Sequence, residues 1–96
     1  MSQQPARRFE VKVEEGAGHG DLYELEQTFY YRVIDTRTQE VVMTFEGEMS
    51  ASLSRSTAQW EDFQYGGVCG VTIAPDERSA LVKYYGGQEE TVPLPQ

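Results

Sequence analysis

The sequence predicts a mainly β domain: about six antiparallel strands in a meander, forming a small curled sheet or half-barrel. Three observations predict it. Apolar and polar residues alternate with a period of two along most of the chain. Tyr, Phe, Val, Ile and Thr dominate those stretches, as suits a pleated, half-buried surface. Clusters of Gly, Pro and Asp punctuate them at hairpin spacing.

The first strand reads from Arg8 to Glu14, with Phe9, Val11 and Val13 on one face and Glu10, Lys12 and Glu14 on the other. The run Glu15-Gly16-Ala17-Gly18-His19-Gly20-Asp21 predicts a hairpin loop, because its three glycines give the chain no steric reason to stay extended. A second strand follows from Leu22 to Asp35 and a third from Val41 to Met49, joined by the hairpin-length segment Thr36–Glu40. Pairing Val33 with Met43, Tyr31 with Phe45 and Phe29 with Gly47 separates apolar from polar residues better than a one-residue shift does. That register puts Ile34 beside Val42, Arg32 beside Thr44, Tyr30 beside Glu46 and Thr28 beside Glu48.

Residues 50–64 are ambiguous. Serines at 50, 52, 54 and 56 suit caps and loops rather than helix interiors. One short helix near residues 55–63 would place Trp60 and Phe63 on a common face, spaced i, i+3. Its rival is a strand arm continuing from Met49 through Leu53. Further on, Val68–Ala74 and Ala80–Tyr85 read as a hairpin around Pro75-Asp76-Glu77-Arg78, with Ile73 facing Ala80, Val71 facing Val82 and Cys69 facing Tyr84. Gly86-Gly87 is a two-residue turn signal, and Thr91–Leu94 returns as an edge strand because of Pro93 and Pro95.

Ninety-six residues suffice for one core, so residues 7–96 form a single β domain after a flexible tail, 1–6. Sixteen acids against eight Lys and Arg give a net charge of −8, which argues against direct binding to nucleic acid or an anionic membrane. The acid is uneven: residues 1–13 carry +2, residues 14–26 carry −5 and residues 27–96 carry −5. A single Cys allows no internal disulfide, and one His with one Cys makes no ordinary zinc site. Without an 18-residue apolar run or a signal-peptide pattern, the expected setting is cytoplasmic.

No catalytic, cofactor or metal site is expected. Gly16–Gly20 lacks the helix and the Lys of a phosphate loop and lies among acids. His19 and Asp21 have no second His to complete a ligand set, and Cys69 shares parity with Val71 and Ile73, as a buried strand thiol would. No nucleophile, base and orienting group can be assembled, so the chain reads as a non-enzyme. Its first functional reading is a protein-interaction module, with homodimerisation as a special case. The candidate surface is Tyr30, Arg32, Ile34, Val42 and Glu46, an apolar-aromatic patch rimmed by charge. The alternative is a small-ligand pocket enclosed by the curled sheet and lined by Tyr31, Phe45, Trp60 and Tyr84. A third reading is an acidic mimic of nucleic acid that inhibits a nucleic-acid-binding protein.

Overall fold

A computed structural model describes residues 7–21 and 23–96, with the side chains of all of these but Ala17 and His19. Tail residues 1–6 lie outside the described residues. Six strands follow one another: β1 (Phe9–Gly20), β2 (Glu24–Asp35), β3 (Glu40–Leu53), β4 (Trp60–Ile73), β5 (Ser79–Tyr84) and β6 (Glu89–Pro93). They lie in sequential order in one antiparallel meander that does not close into a barrel.

The register of β2 and β3 follows the segregation of polar from apolar residues. Val33 faces Met43, Tyr31 faces Phe45, Phe29 faces Gly47 and Tyr30 faces Glu46. The expected pairing fails at one position, where a register shift beyond Val33 sets Ile34 opposite Val41 rather than Val42. The extra residue, Val42, packs against the core. In the β4–β5 hairpin Ile73 faces Ala80 and Val71 faces Val82 as expected, but a second shift pairs Val68 with Tyr84. Cys69 becomes the unpaired residue and is exposed, contrary to its expected burial.

Two segments differ more widely from the pattern. Among the described residues there is no helix: Ser54–Gln59 is a tight connection, closed by Ser54 N–H donating to the Gln59 carbonyl. Trp60 already belongs to β4 and pairs with Leu53. The glycine-rich run is strand rather than loop, because β1 continues to Gly20 after a bulge that sets Gly16 and Ala17 opposite Thr28. Glycine tolerates extension when a neighbour needs its space. A methyl group on Gly16 would collide with the Tyr30 ring.

These extensions make the molecule long. Its extents are 58 × 26 × 26 Å and its radius of gyration is 17.2 Å, against about 12.5 Å for a compact chain of this size. The main buried cluster lies at one end, and Ala51 is buried separately toward the other. In the main cluster Phe9, Val33, Ala80 and Leu94 are buried together, with Val11, Val42, Met43, Phe45, Val71 and Ile73 packed around them. β4 makes this possible by serving two partners. Its first half pairs with β3 as far as Gly47–Gly67; its second half pairs with β5 from Val68 onward. At the switch Gly67 has φ +72°, and a methyl on Gly47 would land on the Val68 carbonyl oxygen. β4, β5 and β6 thereby cover the apolar face of β1–β3 near Phe9 and Val33, and among the described residues no strand covers the other half of the long hairpins.

One contact closes the covered end. The Glu77 carboxylate, in the β4–β5 turn, accepts hydrogen bonds from the backbone N–H groups of Arg8 (2.7 Å) and Phe9 (3.2 Å). Leu94 N–H donates to the Arg78 carbonyl from the same turn.

Both devices are testable by urea denaturation. Gly47→Ala forces β3 and β4 apart at a buried backbone crossing and is expected to cost about 3 kcal/mol. A loss below about 0.5 kcal/mol would mean that the crossing is not tight. Glu77→Ala strands two backbone donors and should cost about 2 kcal/mol, whereas an unchanged midpoint would remove the turn from the account of stability.

Candidate functional site

The register divides the four-stranded part of the sheet into two faces of different chemistry. By alternation, one face carries Leu25, Gln27 and Phe29 from β2, Met49, Ala51 and Leu53 from β3, and Trp60, Phe63 and Tyr65 from β4. At the covered end the same face continues into Val33, Met43 and Phe45 of the core. At the far end no strand lies over it among the described residues; Ala51 is buried between its neighbours, while Trp60, Phe63 and Tyr65 are exposed. Gly18 and Gly20 of β1 pair with Gln27 and Leu25 and have no side chains of their own to lie over them.

Each end of this apolar strip has its own boundary. Toward the core, the Tyr65 ring stacks on Tyr85 at 5.2 Å between centroids. Toward the tip, the Arg55 guanidinium lies 4.3 Å from the centre of the Tyr23 ring, a cation–π contact. Charge is confined to the rim, with Glu15 on β1, Asp62 in the β4 bulge and Arg55 in the tip connection.

The opposite face is acidic. By register it collects Glu10 and Glu14 from β1, Glu24 and Glu26 from β2, and Glu46 and Glu48 from β3, against the two bases Lys12 and Arg32. A shallow groove of about 320 Å³ runs here past Glu26, Thr28, Glu48 and Gln64. The patch Tyr30, Arg32, Ile34, Val42 and Glu46 belongs mostly to this face, but its members already have neighbours. Tyr30 covers Gly16; Arg32 lies 5.3 Å from the Tyr30 ring centre and 3.0 Å from a Glu14 oxygen. Ile34 is half-buried, Val42 is drawn into the core, and Glu46 alone of the five is exposed.

The four proposed pocket residues are not brought together. Tyr31 and Phe45 are cross-strand partners, and the Tyr31 hydroxyl donates to the Cys69 carbonyl at 3.3 Å. Tyr84 turns its hydroxyl to Glu90 at 2.8 Å. Trp60 sits seven residues before Gly67, roughly 23 Å along the strand at about 3.3 Å per residue. A larger groove of about 730 Å³ follows the β1 edge instead, lined by Phe9, Val11, Ile34, Val71 and Ile73 among others.

Perturbed titration follows burial at one site and hydrogen bonding at two. Burial pushes the Tyr31 hydroxyl above its ordinary pKa, with Tyr85 and Cys69 adding to the effect. The hydrogen bond to Glu90 does the same for Tyr84. Asp21 is held below the usual carboxylate range because its Oδ1 accepts from Tyr23 N–H and Glu24 N–H, both at 2.7 Å. Among the described residues, no three His, Cys or acidic groups converge as a metal site would need. No helix is long and apolar enough to cross a membrane among them either.

The chain matches no protein-family model, no curated protein and no solved structure.

Sequence reasoning missed Leu25, Leu53, Phe63 and Tyr65 as surface candidates. A signal was available. The spacing that pairs Val33 with Met43 also pairs Gln27 with Met49 and Leu25 with Ala51, which extends the apolar face past the expected end of the third strand.

The Asp21 hydrogen bonds predict a pH dependence with a definite sign. The folded state binds this proton more weakly than the unfolded chain, whose value is about 3.9. The carboxylate therefore steadies the β1–β2 connection fully above that pH and progressively less as pH falls through the lower folded value. Carboxyl-carbon NMR titration should place the Asp21 midpoint below that of an unstructured aspartate; a midpoint at or above it would contradict the capping role.

Proposed function

We propose that this chain is a non-enzymatic protein-interaction module and that it docks through the uncovered apolar face of its long hairpins. One observation carries this reading: the strip formed by Leu25, Leu53, Trp60, Phe63 and Tyr65 continues the core face of the sheet, yet its three aromatic rings are exposed and no strand lies over them among the described residues. Contiguous apolar surface bounded by polar residues is characteristic of interaction sites, and aromatic rings supply most of the energy in such sites. Leaving so much apolar area in water also costs stability that a covering strand or helix would recover.

The edges of the sheet support a face rather than an edge as the docking surface. Natural sheets guard open edges with bulges, charges and prolines. Here β1 carries the Gly16–Ala17 bulge, β4 the Asp62–Phe63 bulge with Asp62 at φ +55°, and β6 Pro93. A cytoplasmic setting belongs to the same reading, since the exposed Cys69 thiol suits a reducing compartment.

A photo-crosslinking residue placed at Phe63 in living cells tests the proposal. It should give one discrete protein adduct, lost when Trp60 and Tyr65 are also changed to Ala. The same probe at Glu26, on the acidic face, should give none. Absence of any adduct from position 63, or equal adducts from both faces, would sink the reading.

A further inference from the structure

We infer that the occupant of this face is a second copy of the same chain, docked face to face about a two-fold axis; the inference rests on the docking surface proposed above. Three observations lead to it.

The first is the distribution of charge. The chain carries −8 overall, so two copies repel unless their acids are kept apart. The apolar strip has charge only at its rim, while Glu10, Glu14, Glu24, Glu26, Glu46 and Glu48 share the opposite face. Packed sheets lie about 10 Å apart, so two copies joined through their strips would hold these carboxylates more than about 20 Å from one another. That exceeds the screening length of about 8 Å in physiological salt. Like-charged copies can therefore meet on this face at little electrostatic cost. An anionic lipid surface, by contrast, would meet the repulsion of the whole chain.

The second is area. Trp60, Phe63, Tyr65 and Tyr85 are 40%, 50%, 51% and 41% exposed. At about 200 Å² per aromatic side chain they present roughly 370 Å², and the half-buried Leu25, Phe29, Met49 and Leu53 raise the strip to roughly 500 Å². Two copies would bury roughly 1,000 Å², the lower bound of a specific interface. An interface at this lower bound belongs with the weaker, reversible associations.

The third is the lack of a competing mode. The bulges on β1 and β4 interrupt the regular edges that strand-to-strand pairing between copies would need. Stacking of faces uses the sheet as it is. The covered half already shows this geometry, with β4–β6 lying over the continuation of the same face.

Sedimentation velocity between about 1 µM and 500 µM tests the inference. The weight-average mass should rise from one chain toward two, and raising NaCl from 50 to 500 mM should leave the association equal or stronger. Phe63→Glu should hold the protein monomeric throughout, with an unchanged far-UV spectrum because the residue is half exposed. Glu26→Lys, on the other face, should dimerise like the parent. Should Phe63→Glu lose its fold, Tyr65→Lys takes its place with the same expectation. A parent that stays monomeric at 500 µM overturns the inference, as does a dimer insensitive to position 63 or dissolved by salt. The crosslinking experiment separates the two failures. An adduct at twice the chain's own mass, made of this chain alone, fits both; a Trp60-dependent adduct with a different protein keeps the docking face and rejects the dimer; no adduct rejects both.

Discussion

Everything else in the structure depends on the close crossing of β3 and β4 at Gly47 and Gly67. A meander of six strands cannot cover itself if every strand pairs with the next along its full length, because it then forms a single layer with two wet faces. β4 escapes this by changing partner midway. The change requires a backbone carbonyl, that of Val68, to occupy the place where a side chain at 47 would stand, and a left-handed φ at 67. Glycine meets both demands without strain. Once β4 has turned, β5 and β6 follow it over the sheet, and the core around Phe9, Val33, Ala80 and Leu94 can form.

The same switch explains why the molecule has two unequal halves. Only six residues of β5 and five of β6 are available to cover sheet strands of twelve to fourteen residues. The cover therefore ends where Tyr85 stacks on Tyr65, and beyond it Trp60 and Phe63 are exposed. Polar contacts are concentrated where the cover is fastened: Glu77 holds the start of β1, and Thr36 Oγ1 donates to the Arg7 and Arg8 carbonyls. Beyond the cover, side chains satisfy one another locally, as Arg55 does over Tyr23 and Arg32 between Tyr30 and Glu14. The apolar strip is thus the part of the core face that β5 and β6 do not reach, and this is why a partner there would extend the fold rather than remodel it.

Legibility in the sequence followed the strength of each local signal. The β2–β3 register was readable because Val33/Met43 and Tyr31/Phe45 alternate strictly with polar neighbours, and a one-residue slip would have buried Arg32 and Thr44. The Gly86-Gly87 turn was readable because both residues need positive φ, observed at 99° and 92°. Bulges were not readable. Val42 and Cys69 are each the extra residue of a bulge and Phe63 lies within one, and nothing in their own side chains marks the change of parity. The candidate surface suffered most from this, since parity alone assigned Val42 to the outside and Cys69 to the inside.

By itself, the sequence determined what is periodic: an all-β antiparallel meander, with hairpins at Thr36–Glu40, Pro75–Arg78 and Gly86-Gly87. Alternation and turn chemistry act over a few residues, so one strand and its neighbour suffice to express them. The tertiary structure decided what depends on distant segments sharing space. It turned a glycine-rich run into strand because Tyr30 needed the room above Gly16, and it extended β3 and β4 through a segment rich in serine. It also decided which stretch of one apolar face is core and which is surface. That choice rests on where β4 leaves β3, a crossing between residues twenty positions apart, and no local pattern records it.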